Sequence, residues 1–194
     1  MRPGPSLARF LLRLFGWRVV LAEPVPDRAV IVVYPHTSNW DFVVGILARF
    51  GMGLSIQWVG KDTLFRGPFG AFFRTLGGIP VNRRERMGLV AQQLAEFERR
   101  SVLRVVLVPE GTRAHTDGWK SGFYHLALAA RMPVGLAFLD YGRRRAGVGA
   151  WLDLTGDPQA DLARLRAFYA DVRALRPASA GEIRFRDKEL PKPR

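Results

Sequence analysis

The chain has 194 residues, 48% of them hydrophobic and 24% charged, a length and composition that fit one globular domain with a sizeable core. It has no cysteine, which excludes a disulfide framework, a thiolate nucleophile and any Cys-ligated metal site. Its 30 Lys and Arg residues outnumber its 17 Asp and Glu residues to give a net charge of +13, so its surface attracts polyanions such as nucleic acid, anionic lipid headgroups or phosphorylated substrates.

The first segment, residues 1–22, has the pattern of an amphipathic helix. Between Ser6 and Val20, apolar residues recur every three or four positions, arginines fall largely between them, and Trp17 stands near the end. This pattern is typical of a helix that lies in the interface of a bilayer, and the segment is too short and too rich in arginine to span one. The pattern also fits a helix that packs on the body of the protein, and both hold if only part of the apolar face is covered. No signal peptide is expected, because no long apolar run ends in a small-residue cleavage site.

From residue 23 onward, predicted strands alternate with predicted helices. Residues 30–34 form a continuous, largely β-branched run, as expected of a buried strand. Ser38 has the character of an N-cap and Asp41 stands at capping-box spacing, which predicts a helix over residues 38–50. Further strands are predicted at 55–59, 102–108, 133–139 and 148–154, and further helices at 86–100, 123–131 and 161–175. Residues 23–194 are therefore predicted to form a single α/β domain with a mixed, largely parallel sheet flanked by helices.

The first candidate site joins the end of a strand to the start of a helix, where functional groups gather in parallel α/β sheets. His36 follows the strand and Asp41 lies in the first helical turn, so the carboxylate can accept from one imidazole nitrogen and leave the other free as a base. The same residues also fit an ordinary turn, in which Asp41 only caps the helix and His36 bonds a carbonyl. No metal site is predicted, because His115 and His125 have no ligand spacing with His36 or with each other.

Two more strand ends carry polar clusters. Residues 77–84 combine a glycine turn with Arg83 and Arg84, which suits a phosphate and equally fits a solvated charge cluster. Residues 109–113 read Pro-Glu-Gly-Thr-Arg and follow an apolar strand. That segment also fits a strand-ending turn that is held by an internal ion pair.

In combination and order, these segments resemble the glycerophospholipid acyltransferase family, which includes the 1-acylglycerol-3-phosphate acyltransferases. His36 and Asp41 match the family's His-x4-Asp block, although Pro35 stands where the family usually has Asn. Residues 77–83 match its Gly-x5-Arg block, and residues 109–113 match its Pro-Glu-Gly-Thr-Arg motif. Looser similarities lie around Lys61, around Lys120 in a Trp-Lys-Ser-Gly stretch, and around Val134.

The resemblance implies an acyltransferase that moves a fatty acyl group from acyl-CoA or acyl carrier protein to the hydroxyl of a lysophospholipid such as 1-acylglycerol-3-phosphate. It implies no further cofactor. His36 would act as the general base and Asp41 would orient its imidazole. The substrate-binding residues implied are Lys61, Arg83, Glu110, Gly111, Thr112, Arg113 and Lys120.

The basic charge and the N-terminal helix then indicate a peripheral enzyme on the cytoplasmic, inner face of the cell membrane, with an anionic membrane surface as a partner. Nucleic acid is not an expected partner. Two alternatives remain open. A basic nucleic-acid-binding module would leave the His-Asp and Pro-Glu-Gly-Thr-Arg segments unexplained and would lack a recognised motif. A lipid or phosphoester hydrolase would use the same His-Asp pair, with water in place of the lysolipid.

Overall fold

The computed structural model describes residues 4–67, 69–81 and 99–186. In these ranges a seven-stranded sheet has the order β1-β7-β6-β2-β5-β3-β4. All neighbouring strands are parallel except β6 and β7, which are antiparallel. The prediction of a single α/β domain with a mixed, largely parallel sheet is therefore confirmed. The elements are α1 (Pro5–Leu14), β1 (Arg18–Leu21), β2 (Arg28–Tyr34), α2 (Trp40–Met52), β3 (Gln57–Lys61), α3 (Phe69–Thr75), β4 (Gly78–Val81), β5 (Leu103–Leu107), α4 (Gly122–Ala130), β6 (Val134–Asp140), β7 (Arg145–Leu152) and α5 (Pro158–Tyr169).

The central strand β2 is covered by helices on both faces of the sheet. Its side chains alternate between the faces, as strand geometry requires. Val30 and Val32 belong to a core that contains residues of α4 and α5, whereas Ile31 packs in a core with Met52 of α2. Burial on both faces explains why the strand is an uninterrupted apolar run.

Helix α1 is shorter than the sequence predicts. The helix predicted over residues 6–20 ends at Leu14, and Arg18–Leu21 forms strand β1 instead. Gly16 lies in the left-handed region with φ +74°. Trp17 N–H donates to Leu12 O and Gly16 N–H to Arg13 O, which is the Schellman ending that a left-handed glycine favours.

One side of α1 packs on α2 and the other faces outward. Ala8 and Leu12 are buried, and Arg9 Nε donates to Gly51 O at 2.7 Å. The exposed large apolar side chains of this helix and its C-cap are Leu7, Phe10, Leu14 and Phe15. Only part of the apolar face is therefore covered by the body of the protein. Among the described residues, no helix is both long and apolar enough to cross a membrane.

Other predicted boundaries shift for local or tertiary reasons. Helix α2 begins at Trp40, two residues after the predicted N-cap Ser38, whose Oγ accepts from Trp40 N–H at 3.2 Å. Helix α5 ends at Tyr169 rather than at residue 175, because the following residues bond to other parts of the fold; Tyr141 N–H, for example, donates to Arg173 O. The predicted helix over residues 86–100 lies outside the described residues except at its last two positions.

Candidate active site

The carboxyl-terminal ends of the parallel strands β2, β3, β5 and β6 lie at one side of the sheet, called here the carboxyl edge. The short connection from β2 to α2 places His36 and Asp41 at this edge. The imidazole Nδ1 lies 3.4 Å from Asp41 Oδ2, and the His36 and Asp41 side chains are 15% and 1% exposed. A buried carboxylate thus faces one nitrogen of a partly accessible imidazole, and Nε2 is the nitrogen left for a substrate.

Donors surround the carboxylate of Asp41. Its Oδ2 accepts from the backbone N–H groups of Thr37 at 2.6 Å and Ser38 at 2.8 Å, and its Oδ1 accepts from Tyr141 Oη at 2.8 Å. Burial alone would raise the pKa of Asp41, but the hydrogen bonds from His36, Tyr141, Ser38 and Thr37 outweigh it and lower the pKa below its usual value. Asp41 is therefore ionised at neutral pH and can stabilise an imidazolium.

Glu110 fixes the backbone that carries the histidine. It is 1% exposed; its Oε2 accepts from His36 N–H at 2.8 Å, and its Oε1 accepts from Gly181 N–H at 2.9 Å. Burial raises the pKa of Glu110, and the two backbone hydrogen bonds partly offset that rise. Because both oxygens already accept backbone hydrogen bonds, the geometry favours a positioning role over direct contact with a substrate.

The turn after Glu110 brings two more predicted site residues together. Gly111 has φ +69°, a conformation that favours glycine. A Cβ at this position would lie 3.1 Å from Lys120 Nζ, so the lysine side chain packs directly on the glycine. Thr112 and Arg113 are exposed, and Thr112 Oγ1 accepts from Ala114 N–H at 3.2 Å.

Lys61 ends strand β3 and is exposed. Since β5 alone separates β3 from β2 in the sheet, Lys61 stands about 10 Å along the carboxyl edge from the end of β2. No hydrogen bond or ion pair links Lys61, Thr112 or Arg113 to His36 or Asp41 within the described ranges. Arg83, the remaining predicted phosphate ligand, lies outside those ranges.

Sequence reasoning missed three residues that support the site. Tyr141 directly follows β6, a neighbour of β2. A tyrosine at the end of a predicted strand could therefore have been named as a candidate residue of the carboxyl edge. Gly181 and Arg186 carried no such signal, because only tertiary structure brings them to Glu110; Arg186 Nη2 donates to Glu110 O at 2.9 Å. In the part of the chain that is described, no group of three or more His, Asp or Glu residues could hold a metal ion.

A family model described as "Acyltransferase" matches residues 17–135. The match covers more than half of the chain and includes His36, Asp41 and residues 109–113. The chain belongs to the acyltransferase family. The predicted family and the general activity of an acyltransferase are thereby confirmed. No curated protein matches this acyltransferase.

Proposed function

We propose that this acyltransferase moves a fatty acyl group from an acyl thioester to the hydroxyl of a lysophospholipid, with His36 as the general base. The observation that carries the proposal is the buried, ionised Asp41 held against His36 at the carboxyl edge. Such a pair fixes the tautomer of the imidazole and stabilises the charge that appears when it accepts a proton.

The proposed reaction is a direct transfer. His36 Nε2 takes the proton of the acceptor hydroxyl as the oxygen attacks the thioester carbonyl carbon. The tetrahedral intermediate collapses with cleavage of the carbon–sulfur bond, and the thiolate recovers the proton from the imidazolium. Backbone N–H groups near Gly111 would stabilise the oxyanion. Because Gly111 N–H donates to Val108 O at 3.1 Å, we assign this role to the amides that follow, beginning with Thr112.

Basic residues that precede and follow Glu110 in the sequence are the proposed ligands of the anionic substrates. Lys61 and Arg113 are exposed, and with Arg83 they would bind the acceptor phosphate. Lys120, packed on Gly111, would contact the acceptor or the donor beside the thioester. The donor would be acyl-CoA or acyl carrier protein, and no other cofactor is required by these steps.

The site of action would be the inner face of the cell membrane, where the protein binds peripherally to an anionic surface. The half-exposed side chains Leu7, Phe10 and Leu14 of α1 support this proposal, as does the net charge of +13. Apolar residues together with cations are the combination that holds a helix in an anionic interface.

The test is incubation with a panel of lysolipids and labelled acyl-CoA or acyl carrier protein, followed by identification of the labelled product. We expect a diacyl lipid whose formation depends on the lysolipid. Labelled free fatty acid whose release does not depend on the lysolipid would instead identify a hydrolase.

Replacing His36 by Ala tests the catalytic base. We expect kcat to fall about 10²- to 10⁴-fold, the usual contribution of a positioned general base. The free energy of unfolding should also fall by about 1–3 kcal/mol, because the imidazole is one of the donors to the buried carboxylate of Asp41, so turnover is measured where the variant is folded. Near-normal turnover by the folded His36→Ala protein would refute the mechanism.

A further inference from the structure

A surface cavity of about 440 Å³ lies at the carboxyl edge, away from Lys61, and the described residues that line it are all arginine or glycine. We call it the arginine pocket. Its side chains are four guanidinium groups, and no carboxylate lines it. The lining residues are Gly16, Arg18, Gly142, Arg143, Arg144 and Arg145.

Three structural elements meet at the arginine pocket. Gly16 follows the C-cap of α1 and Arg18 begins β1. Residues 142–144 lie in the turn from β6 to β7, and Arg145 begins β7. Tyr141, which donates to Asp41, immediately precedes that turn. In the sheet β1 stands three strands and β7 two strands from β2, so Arg18 and Arg145 lie about 14 Å and about 10 Å along the edge from the end of β2. The pocket is therefore distinct from the His36 site but shares its edge.

The guanidinium groups of the pocket outnumber the nearby carboxylates. Arg143 pairs with Asp171 at 3.3 Å and with the buried Asp140 at 3.6 Å, and Arg145 lies 3.8 Å from Asp140. Arg144 Nη1 donates to a carbonyl, Phe15 O, at 3.1 Å. These two carboxylates pair with only two of the four arginines, so the pocket carries excess positive charge.

One guanidinium of the pocket, that of Arg18, has no partner among the described residues. Across the described parts of the chain, no hydrogen bond or ion pair involves the Arg18 side chain. Arg18 is exposed and lines the cavity. It is therefore available to a ligand without first breaking a contact within the protein.

The backbone holds these cations together at a cost in stability. Arg18 and Arg145 are register partners on the paired strands β1 and β7, and like charges side by side on neighbouring strands destabilise a sheet. Arg144 lies in the left-handed region with φ 48°, which is strained for a residue other than glycine. A bound anion would offset the repulsion.

We propose that the arginine pocket binds the phosphate of an anionic membrane-lipid headgroup. Guanidinium groups match phosphate oxygens in charge and in geometry. A lipid is favoured as the source because Leu14 and Phe15, which are 63% and 69% exposed, directly precede the lining residue Gly16 in the chain, and Phe15 O accepts from Arg144 Nη1. Acyl chains beside a bound headgroup would contact these apolar side chains. This inference goes beyond the proposed acyl transfer, and its test requires no turnover.

The experiment measures binding of the full chain to vesicles of phosphatidylcholine alone and of an equal mixture of phosphatidylcholine and phosphatidylglycerol. Replacing Arg18 and Arg144 by Gln should weaken binding to the mixed vesicles roughly thirtyfold, since each cation near an anionic surface contributes about 1 kcal/mol. Arg18→Gln alone should weaken binding to the mixed vesicles roughly fivefold on the same basis. This single variant retains the contact of Arg144 with α1, so it replaces the double variant if the latter folds poorly.

A matched control removes the same charge from α5, which packs on the face of the sheet opposite to α1 and α2. Arg164 and Arg166 are exposed on α5, and replacing both by Gln should weaken binding by less than about threefold, because charges beyond a Debye length from the bilayer are screened. Equal losses in the Arg18/Arg144 and Arg164/Arg166 variants would overturn the proposal.

A second arm separates lipid from soluble phosphate. Coenzyme A and inorganic phosphate are titrated against the wild type and the Arg18→Gln/Arg144→Gln variant at constant ionic strength. We expect the two proteins to bind coenzyme A equally, whereas inorganic phosphate, which has the same oxygens as a headgroup phosphate, should bind the variant more weakly. If the variant loses coenzyme A binding and binds vesicles as the control does, the pocket serves the soluble donor and the assignment to a lipid is wrong.

Discussion

The carboxyl group of Asp41 is buried and yet ionised, because neighbouring groups donate hydrogen bonds to it. The backbone amides of Thr37 and Ser38 and the hydroxyl of Tyr141 all donate to it. These bonds replace the water that a buried carboxylate loses. They also fix the carboxylate in the orientation in which it faces His36.

Replacing Tyr141 by Phe removes one of the donors to Asp41. We expect the free energy of unfolding to fall by about 1–3 kcal/mol at neutral pH, the range for a lost hydrogen bond to a charged group. A carboxylate whose native pKa is lowered stabilises the fold above its unfolded pKa, and that contribution is lost as pH falls through the native pKa. The variant has a higher native pKa at Asp41, so its acid loss of stability should be smaller and should end at a higher pH than that of the wild type. The stability difference between the two proteins should therefore narrow as the pH falls.

Urea unfolding over the acid range measures this effect, and a stability difference that does not change with pH would contradict it. Tyr124→Phe is the matched control, because Tyr124 Oη donates to the buried Asp161 at 3.0 Å outside the site. Both variants should be less stable than the wild type. Only Tyr141→Phe should lower kcat.

Replacing Glu110 by Gln separates positioning from substrate binding. An amide has one acceptor oxygen, so either His36 N–H or Gly181 N–H loses its partner, and the backbone at His36 shifts. We expect kcat to fall about ten- to hundredfold, because small displacements of a catalytic group have effects of this size, with the acceptor KM unchanged. A raised acceptor KM with normal kcat would show that Glu110 contacts the acceptor.

At the scale of elements, the local sequence pattern was sufficient to predict those features whose contacts lie within a few residues of one another. His36 and Asp41 lie five residues apart on one strand–helix connection, so sequence alone predicted their approach. The strand β1 was missed because apolar periodicity continues through Trp17 and Val20, while the pairing that makes it a strand is with β7, more than a hundred residues away. Tyr141 and Gly181 reach the site through similarly distant contacts.

Helix α1 allows a test of membrane binding that leaves β1 intact, whereas deleting residues 1–22 would also remove that strand. Replacing Leu7, Phe10 and Leu14 by Ser should weaken binding to mixed phosphatidylcholine and phosphatidylglycerol vesicles about a hundredfold, at about 1 kcal/mol for each partly buried apolar side chain. Stability should change little, because all three are exposed. Val102→Ser, at an exposed site outside α1, is the control, and equal binding by both variants would exclude α1 as the contact.

At the scale of the whole molecule, the site depends on residues beyond the family match. Tyr141 and residues 176–186 follow position 135, where the match ends. The later segment is anchored by Phe185, which is buried in the core beside Trp119 and Phe123. Its backbone pairs with Trp119. Residues 176–186 are therefore held to the core through Phe185 and also contact the site.

Replacing Phe185 by Ala should loosen that anchor. We expect a loss of about 3–5 kcal/mol in the free energy of unfolding, as for other buried Phe-to-Ala changes, and a fall in kcat at temperatures where the protein is still folded. Leu165→Ala removes a buried side chain from the same core in α5, and it should lower stability without this effect on kcat. Equal kcat values in the two variants would argue against a link between the segment and the site.

The bridge that Glu110 makes between His36 and Gly181 also bears on biosynthesis. A ribosome must release residue 181 from its exit tunnel before the second half of that bridge can form. Nascent chains that already contain His36, Asp41 and residues 109–113 would consequently lack this contact, and we expect them to turn over acyl substrates more slowly than the released protein.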